Sequence, residues 1–196
     1  MHDLLNSTRN LATLVGRVDD GQLDQPTPCP DYTVGDLLDH VGRLAVAFTE
    51  AARKERGTNA SPPPPGSRTH LAADWRTRIP ADLTELGEAW HGGDAWDGDT
   101  MIAGAEMPAA VVGAVALNEV VTHAWDLARA IDQPFDVDRE TIVGCMEFMG
   151  PMSEPAAAAN REPAFGPVVS ARGDATPFER LIALNGRDPD WMPAGG

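Results

Sequence analysis

The chain has 196 residues, 42% hydrophobic and 23% charged, the balance of a soluble globular protein that forms one domain over residues 1–196 with a sizeable core. Its 15 Lys and Arg against 30 Asp and Glu give a formal charge of −15, which excludes the basic stripe that a nucleic acid or an anionic membrane surface requires. The 2 cysteines, Cys29 and Cys145, form no Cys-x-x-Cys and exclude a disulfide framework.

The N-terminus, Met1 to Asn6, lacks both a basic region and a continuous apolar run, so no signal peptide is expected and the protein should be cytoplasmic. Residues 3–20 predict a first helix: Leu4, Leu11, Leu14, Val15 and Val18 keep a helical period, and Gly21 should end it. Prolines at 26, 28 and 30 forbid helix in the next connection. Thr33 then predicts an N-cap, with Asp36 in the capping-box position. The second helix should run from about Val34 to Arg56, with Val34, Leu37, Leu38, Val41, Leu44, Ala45 and Phe48 on its buried stripe and His40 at the border of that stripe. Pro62 to Pro65 predict a stiff exposed spacer. A third helical region spans about Thr69 to Trp90, where Pro80 must either kink it or open a new segment as an N1 proline. Residues 91–107 predict a loop with room for a short strand pair.

The fourth helix, about Pro108 to Ile131, contains the most informative stretch. Its longest apolar run, Ala109 to Leu117, is far too short to span a bilayer. Val112, Ala116, His123 and Leu127 share one narrow sector at about 100° per residue, and Glu119 precedes His123 by one turn. A carboxylate and an imidazole on a face that meets the core must be satisfied. Two readings do so. Either the histidines bond carbonyls and Glu119 pairs with an arginine, or Glu119 and His123 bind a zinc-type divalent metal with His40 as the third ligand, leaving the open position of a catalytic site. A di-iron site is disfavoured, since it needs two Glu-x-x-His motifs and further carboxylates. A fifth helix from about Asp138 to Met149, a loop over 150–176, and a last short helix opened by Thr176-Pro177 complete the chain. Four long helices with one apolar face each make an all-α bundle the expected architecture.

Val120 to Ala130 (V-V-T-H-A-W-D-L-A-R-A), together with Pro26 to His40 (P-T-P-C-P-D-Y-T-V-G-D-L-L-D-H), resembles the metal-binding domain of the DinB-like, mycothiol-dependent maleylpyruvate isomerase group. The tail T-P-F-E-R-L-I-A-L-N-G-R-D-P-D-W is similar to small metal-binding members of that group. The resemblance implies a DinB-like four-helix bundle, here with extra short C-terminal helices, and a zinc-type divalent metal on His40, Glu119 and His123. It also implies mycothiol or a related thiol as cofactor, and a small thiol and an electrophile as partners, with homodimerisation left open. Two features depart from the group: Tyr32 stands where a tryptophan is usual, and the chain looks too short for the further C-terminal domain of the isomerase proper.

The neighbours of these ligands carry their own alternatives. Asp126 either orients His123 from one turn beyond it or pairs with Arg129. Asp36 could orient His40 but is better placed to cap its helix, and Arg43 is better explained by a pair with Asp39 than by steering an anion. Cys29 is the one candidate nucleophile, though no histidine near it in sequence could activate it, so a structural thiol is the favoured reading; Cys145 belongs to the core. His2, His70 and His91 should face solvent, Trp75 and Trp90 the core, and Trp125 the surroundings of the site. Two functions follow: an enzyme whose metal activates a low-molecular-weight thiol for S-transfer or isomerisation, or a non-catalytic metal-binding protein. A metal-assisted hydrolase is a weaker third.

Overall fold

The computed structural model describes residues 3–154, 157, 161 and 165–193; the expectation for His2 falls outside them. The molecule is mostly helical, with six helices and one two-stranded sheet among the described residues. The helices are α1 (Leu5–Val15), α2 (Val34–Ala52), α3 (Trp75–Ala89), α4 (Ala109–Ala130), α5 (Arg139–Met152) and α6 (Pro177–Leu184); strands β1 (Asp99–Ile102) and β2 (Ala105–Pro108) pair antiparallel between α3 and α4.

Helix α1 stops earlier than periodicity predicts. It ends at Val15 with Gly16 as its cap, and Arg17 and Val18 close tighter bonds to Leu14 and Val15. Val18 stays buried at 2% exposure, so the apolar rhythm outlasts the helix. Helix α2 also ends short of Arg56. Lys54 takes a left-handed conformation (φ 57°), its N–H bonds Ala51 and that of Glu55 reaches back to Glu50. Those two bonds close the helix in a Schellman motif, with lysine where glycine is usual. At the other end Thr33 and Asp36 form the expected capping box. Pro80 neither kinks the chain into two helices nor opens one; it sits inside α3, which begins at Trp75 after a separate turn over Arg68–His70.

Helices α1 and α2 each pack on both α3 and α4, so four apolar stripes close on one core. Leu11, Leu37, Leu38, Ile79, Leu83 and Leu117 are at most 1% exposed. Each such side chain is worth about 1.5–3 kcal/mol when taken from water. Trp90 donates to the Phe48 carbonyl at 3.0 Å and Trp96 to that of Trp90 at 2.8 Å. Both rings press on Gly113 of α4, where a Cβ would meet them at 2.6–2.7 Å, so glycine lets the indoles lie against the helix. Helix α5 packs on α4 and α6 on α5, adding a second cover over α4. No helix among the described residues is long and apolar enough to cross a membrane.

Candidate metal centre

His40 projects from α2, and Glu119 and His123 from successive turns of α4. Because α2 packs on α4, one donor atom from each of the three lies within 4.8 Å of the others. His123 Nε2 is 3.1 Å and His40 Nε2 4.0 Å from the same oxygen, Glu119 Oε2. Two donors at about 2.0 Å from a tetrahedral zinc ion stand about 3.3 Å apart, so the Glu119–His123 pair already has that spacing and His40 must draw closer to share an ion. The two imidazole rings meet edge to face with centroids 4.9 Å apart.

The electrostatics fit a cation. Burial alone would depress the His123 imidazole, but its hydrogen bonds to Asp126 and Glu119, and their charges, lift it to about 9. Burial holds His40 below the ordinary histidine value despite Glu119 nearby, which keeps it a neutral ligand. Burial would raise the Glu119 carboxyl, yet the two histidines hold it well below the usual carboxylate range. Thus a carboxylate and a neutral imidazole are ready to ligate, while His123 carries a proton where two carboxylates call for positive charge. Two nitrogens and one carboxylate oxygen are an ordinary zinc donor set with one position left open.

Asp126 is fully buried and accepts from His123 Nδ1 at 3.0 Å, the arrangement that leaves Nε2 turned toward Glu119. Arg129 does not meet Asp126; its guanidinium bonds the Trp191 carbonyl. Asp36 accepts from the Thr33 N–H at 3.0 Å and the Arg68 N–H at 2.7 Å, and no bond from it to the His40 imidazole occurs among the described residues. Arg43 pairs with Asp39 at 3.0 Å, although Asp39 is buried and also accepts from the Ser67 N–H. Tyr32 tilts its ring over His40 at 5.2 Å and its hydroxyl accepts from the Gly66 N–H. The Gly66 backbone runs so close that a Cβ would meet the Asp36 carbonyl at 2.4 Å and His40 Cβ at 2.8 Å. That close approach seats the segment after the proline run beside the site.

The family described as "Mycothiol maleylpyruvate isomerase N-terminal domain" matches residues 4–128, which span α1 to α4 and all three converging donors. The chain belongs to that family. Two uncharacterized proteins of Mycobacterium tuberculosis, from strains CDC 1551 / Oshkosh and ATCC 25618 / H37Rv, are each 32% identical to it over 139 residues, 67% of this chain and 67% of theirs. No solved structure matches it significantly.

One contact near the site lies outside the residues the mycothiol maleylpyruvate isomerase N-terminal domain covers. Arg187 reaches both oxygens of Asp126, at 3.3 and 3.1 Å. No period or spacing places a residue after α6 against α4; the only signal is that Arg187 belongs to the N-G-R-D run of the tail motif. Cys29 sits in the field of Arg187 and Asp126, but burial pushes its thiol up to about 11, so it is no ready nucleophile. Cys145 is fully buried and is pushed up to about 12 by burial. Both cysteines are free thiols.

Proposed function

We propose that residues 1–196 act as one DinB-like bundle that holds a zinc-type divalent ion on His40, Glu119 and His123, and that this cytoplasmic protein uses the ion to activate a low-molecular-weight thiol such as mycothiol for S-transfer or isomerisation. The convergence of three donors from two packed helices within 4.8 Å is the observation that carries the proposal. The family description, which names mycothiol and maleylpyruvate isomerase, supports the choice of thiol and of reaction class. Held by these three residues, a zinc-type ion would supply a Lewis acid that favours the thiolate form of a thiol.

The rest of the chemistry belongs to the chain. Asp126 keeps His123 oriented through Nδ1, and Glu119 would be the one negative ligand, so this donor set would leave a divalent ion net positive. Tyr32 and the backbone after the proline run flank His40 and limit water on that side. Cys29, with its thiol held protonated, takes no part; the nucleophile comes from the added thiol. The electrophile enters from outside.

A second reading has one observation in its favour. The cavity bordered by Glu119 and His123 is only about 10 Å³ and is otherwise lined by apolar side chains such as Leu11, Val41 and Phe48. That cavity, which His40 does not line, has room for about one water and none for a thiol, which fits an ion without catalysis. Metal content separates both readings from a metal-free fold. The purified protein is expected to carry about one divalent ion per chain, and His40→Ala, Glu119→Ala and His123→Ala each to lose most of it. Full metal content in the His40→Ala variant would show that the third ligand lies elsewhere.

A further inference from the structure

Next to the converging donors, α4 carries a second buried polar stripe. Asn118, Thr122 and Asp126 recur at every fourth residue and so share one face. All three are buried, at 0%, 4% and 0% exposure. The C-terminal segment, not an apolar surface, supplies partners for Asn118 and Asp126. Asn118 donates to Asn185 Oδ1 at 2.7 Å, and Asn185 returns a bond to Asn118 Oδ1 at 3.2 Å. Further along the helix Arg187 bonds Asp126, and beyond it Arg129 bonds Trp191. The segment therefore runs along α4 in the same direction as the helix, stitched at three points. Within the stripe the Thr122 hydroxyl has no hydrogen-bond partner among the described residues, so stitching is not automatic on this face.

The Arg187 stitch differs from the other two in what it touches. Arg187 is itself buried, at 8% exposure; Nε bonds Asp126 Oδ1 at 3.3 Å, Nη2 bonds Oδ2 at 3.1 Å, and Nη1 bonds the Asn185 carbonyl at 2.9 Å. The same Oδ2 accepts from His123 Nδ1 at 3.0 Å. A buried carboxylate that must hold an imidazole at one angle needs its own plane fixed, and a two-pronged guanidinium does that where a point charge does not. The charge also matters. With Arg187 offsetting Asp126, the formal charge next to the ion is set by Glu119 alone.

We propose that Arg187 is a positioning residue of the metal centre, whose fork holds the Asp126 carboxylate so that it orients His123 with Nε2 toward Glu119 and His40. The inference rests on the metal reading above and extends it. It makes the segment after residue 128, beyond the part that matches the family, a component of the site. A merely structural role for Arg187 would pin the segment to α4 and leave the ion unaffected.

The test uses the full-length protein, zinc affinity by competition with a chelator, and the visible spectrum of the cobalt(II) form. Arg187→Met keeps the length of the side chain and removes the fork. It is expected to retain the helical circular dichroism, lose about tenfold or more in zinc affinity, and change the cobalt d–d bands. Arg187→Lys keeps the charge and guards against a Met variant that does not fold. It should lose part of the affinity, because an ammonium cannot span both oxygens. Asp126→Asn should weaken zinc as much alone as together with Arg187→Met, since Arg187 acts through Asp126. Wild-type affinity and cobalt spectrum in the folded Arg187→Met protein, or in Arg187→Lys where the Met variant does not fold, overturn the proposal, as do fully additive losses in the double variant. A wild-type chain that binds no zinc at all refutes the metal centre and this proposal together, whereas zinc binding indifferent to Arg187 refutes this proposal alone.

Discussion

Zinc uptake by the metal-free protein should expel a proton, and His123 sets how many and at what pH. With its imidazole lifted to about 9, His123 is about 99% protonated at pH 7 and must lose that proton to offer Nε2 to an ion. His40 is neutral already and Glu119 ionised, so neither adds a proton at that pH. About one proton per zinc should therefore leave at pH 7, falling to about half at pH 9. Because that proton must be displaced across about two pH units, apparent affinity should rise about 100-fold from pH 7 to its plateau above pH 9. Calorimetric titrations in buffers of different ionisation enthalpy count the protons directly. Ionisation of a water on the ion also releases protons, but that release grows as pH rises, while release from His123 declines. Zinc binding at pH 7 without proton release, or affinity flat between pH 7 and pH 9, would refute the assignment of a cationic His123 held between Glu119 and Asp126.

Two further outcomes follow from particular contacts. Cys29→Ser should retain zinc and any thiol-dependent turnover, and wild-type Cys29 should react slowly with maleimide at pH 8, where roughly a thousandth of a thiol near 11 is ionised; loss of turnover with fold and metal intact would mean the protein supplies its own nucleophile. Arg161, only 4% exposed, donates to the Met152 carbonyl at 3.3 Å and the Leu184 carbonyl at 2.6 Å, and so caps the ends of both α5 and α6. Arg161→Met should lower urea stability by about 2–3 kcal/mol while leaving zinc affinity unchanged, and unaltered stability would show those ends are satisfied without it.

The helices were legible wherever a local signal and the packing agree. Thr33 with Asp36, and Thr176 with Pro177, mark helix starts that the structure has at the same residues. Helix ends were harder, because the apolar period survives past the last helical residue: Val18 is buried beyond α1, and Lys54 ends α2 by adopting a conformation that no sequence rule assigns to lysine. Pro80 within α3 shows tertiary packing outweighing a local breaker, with Ile79 and Leu83 on either side almost fully buried. At the site, the spacing of Glu119 and His123 was visible as one helical turn. That His40 meets them needs α2 packed on α4, which the stripe on each helix implies without fixing its register. Arg187 could not be foreseen from pattern, since its partner Asp126 is 61 residues away and nothing between them repeats.

An ion on His40, Glu119 and His123 would keep a position open to a thiol, and cobalt(II) makes that position visible. Cobalt replaces zinc in comparable nitrogen and oxygen sites, and a sulfur ligand adds an intense near-ultraviolet charge-transfer band. An open position predicts that the cobalt protein gains this band on adding mycothiol or a small thiol, that its amplitude grows with pH to saturation, and that cobalt stays with the protein throughout. A cobalt protein whose spectrum ignores mycothiol, bacillithiol and glutathione alike would contradict it and leave a closed, structural ion in its place.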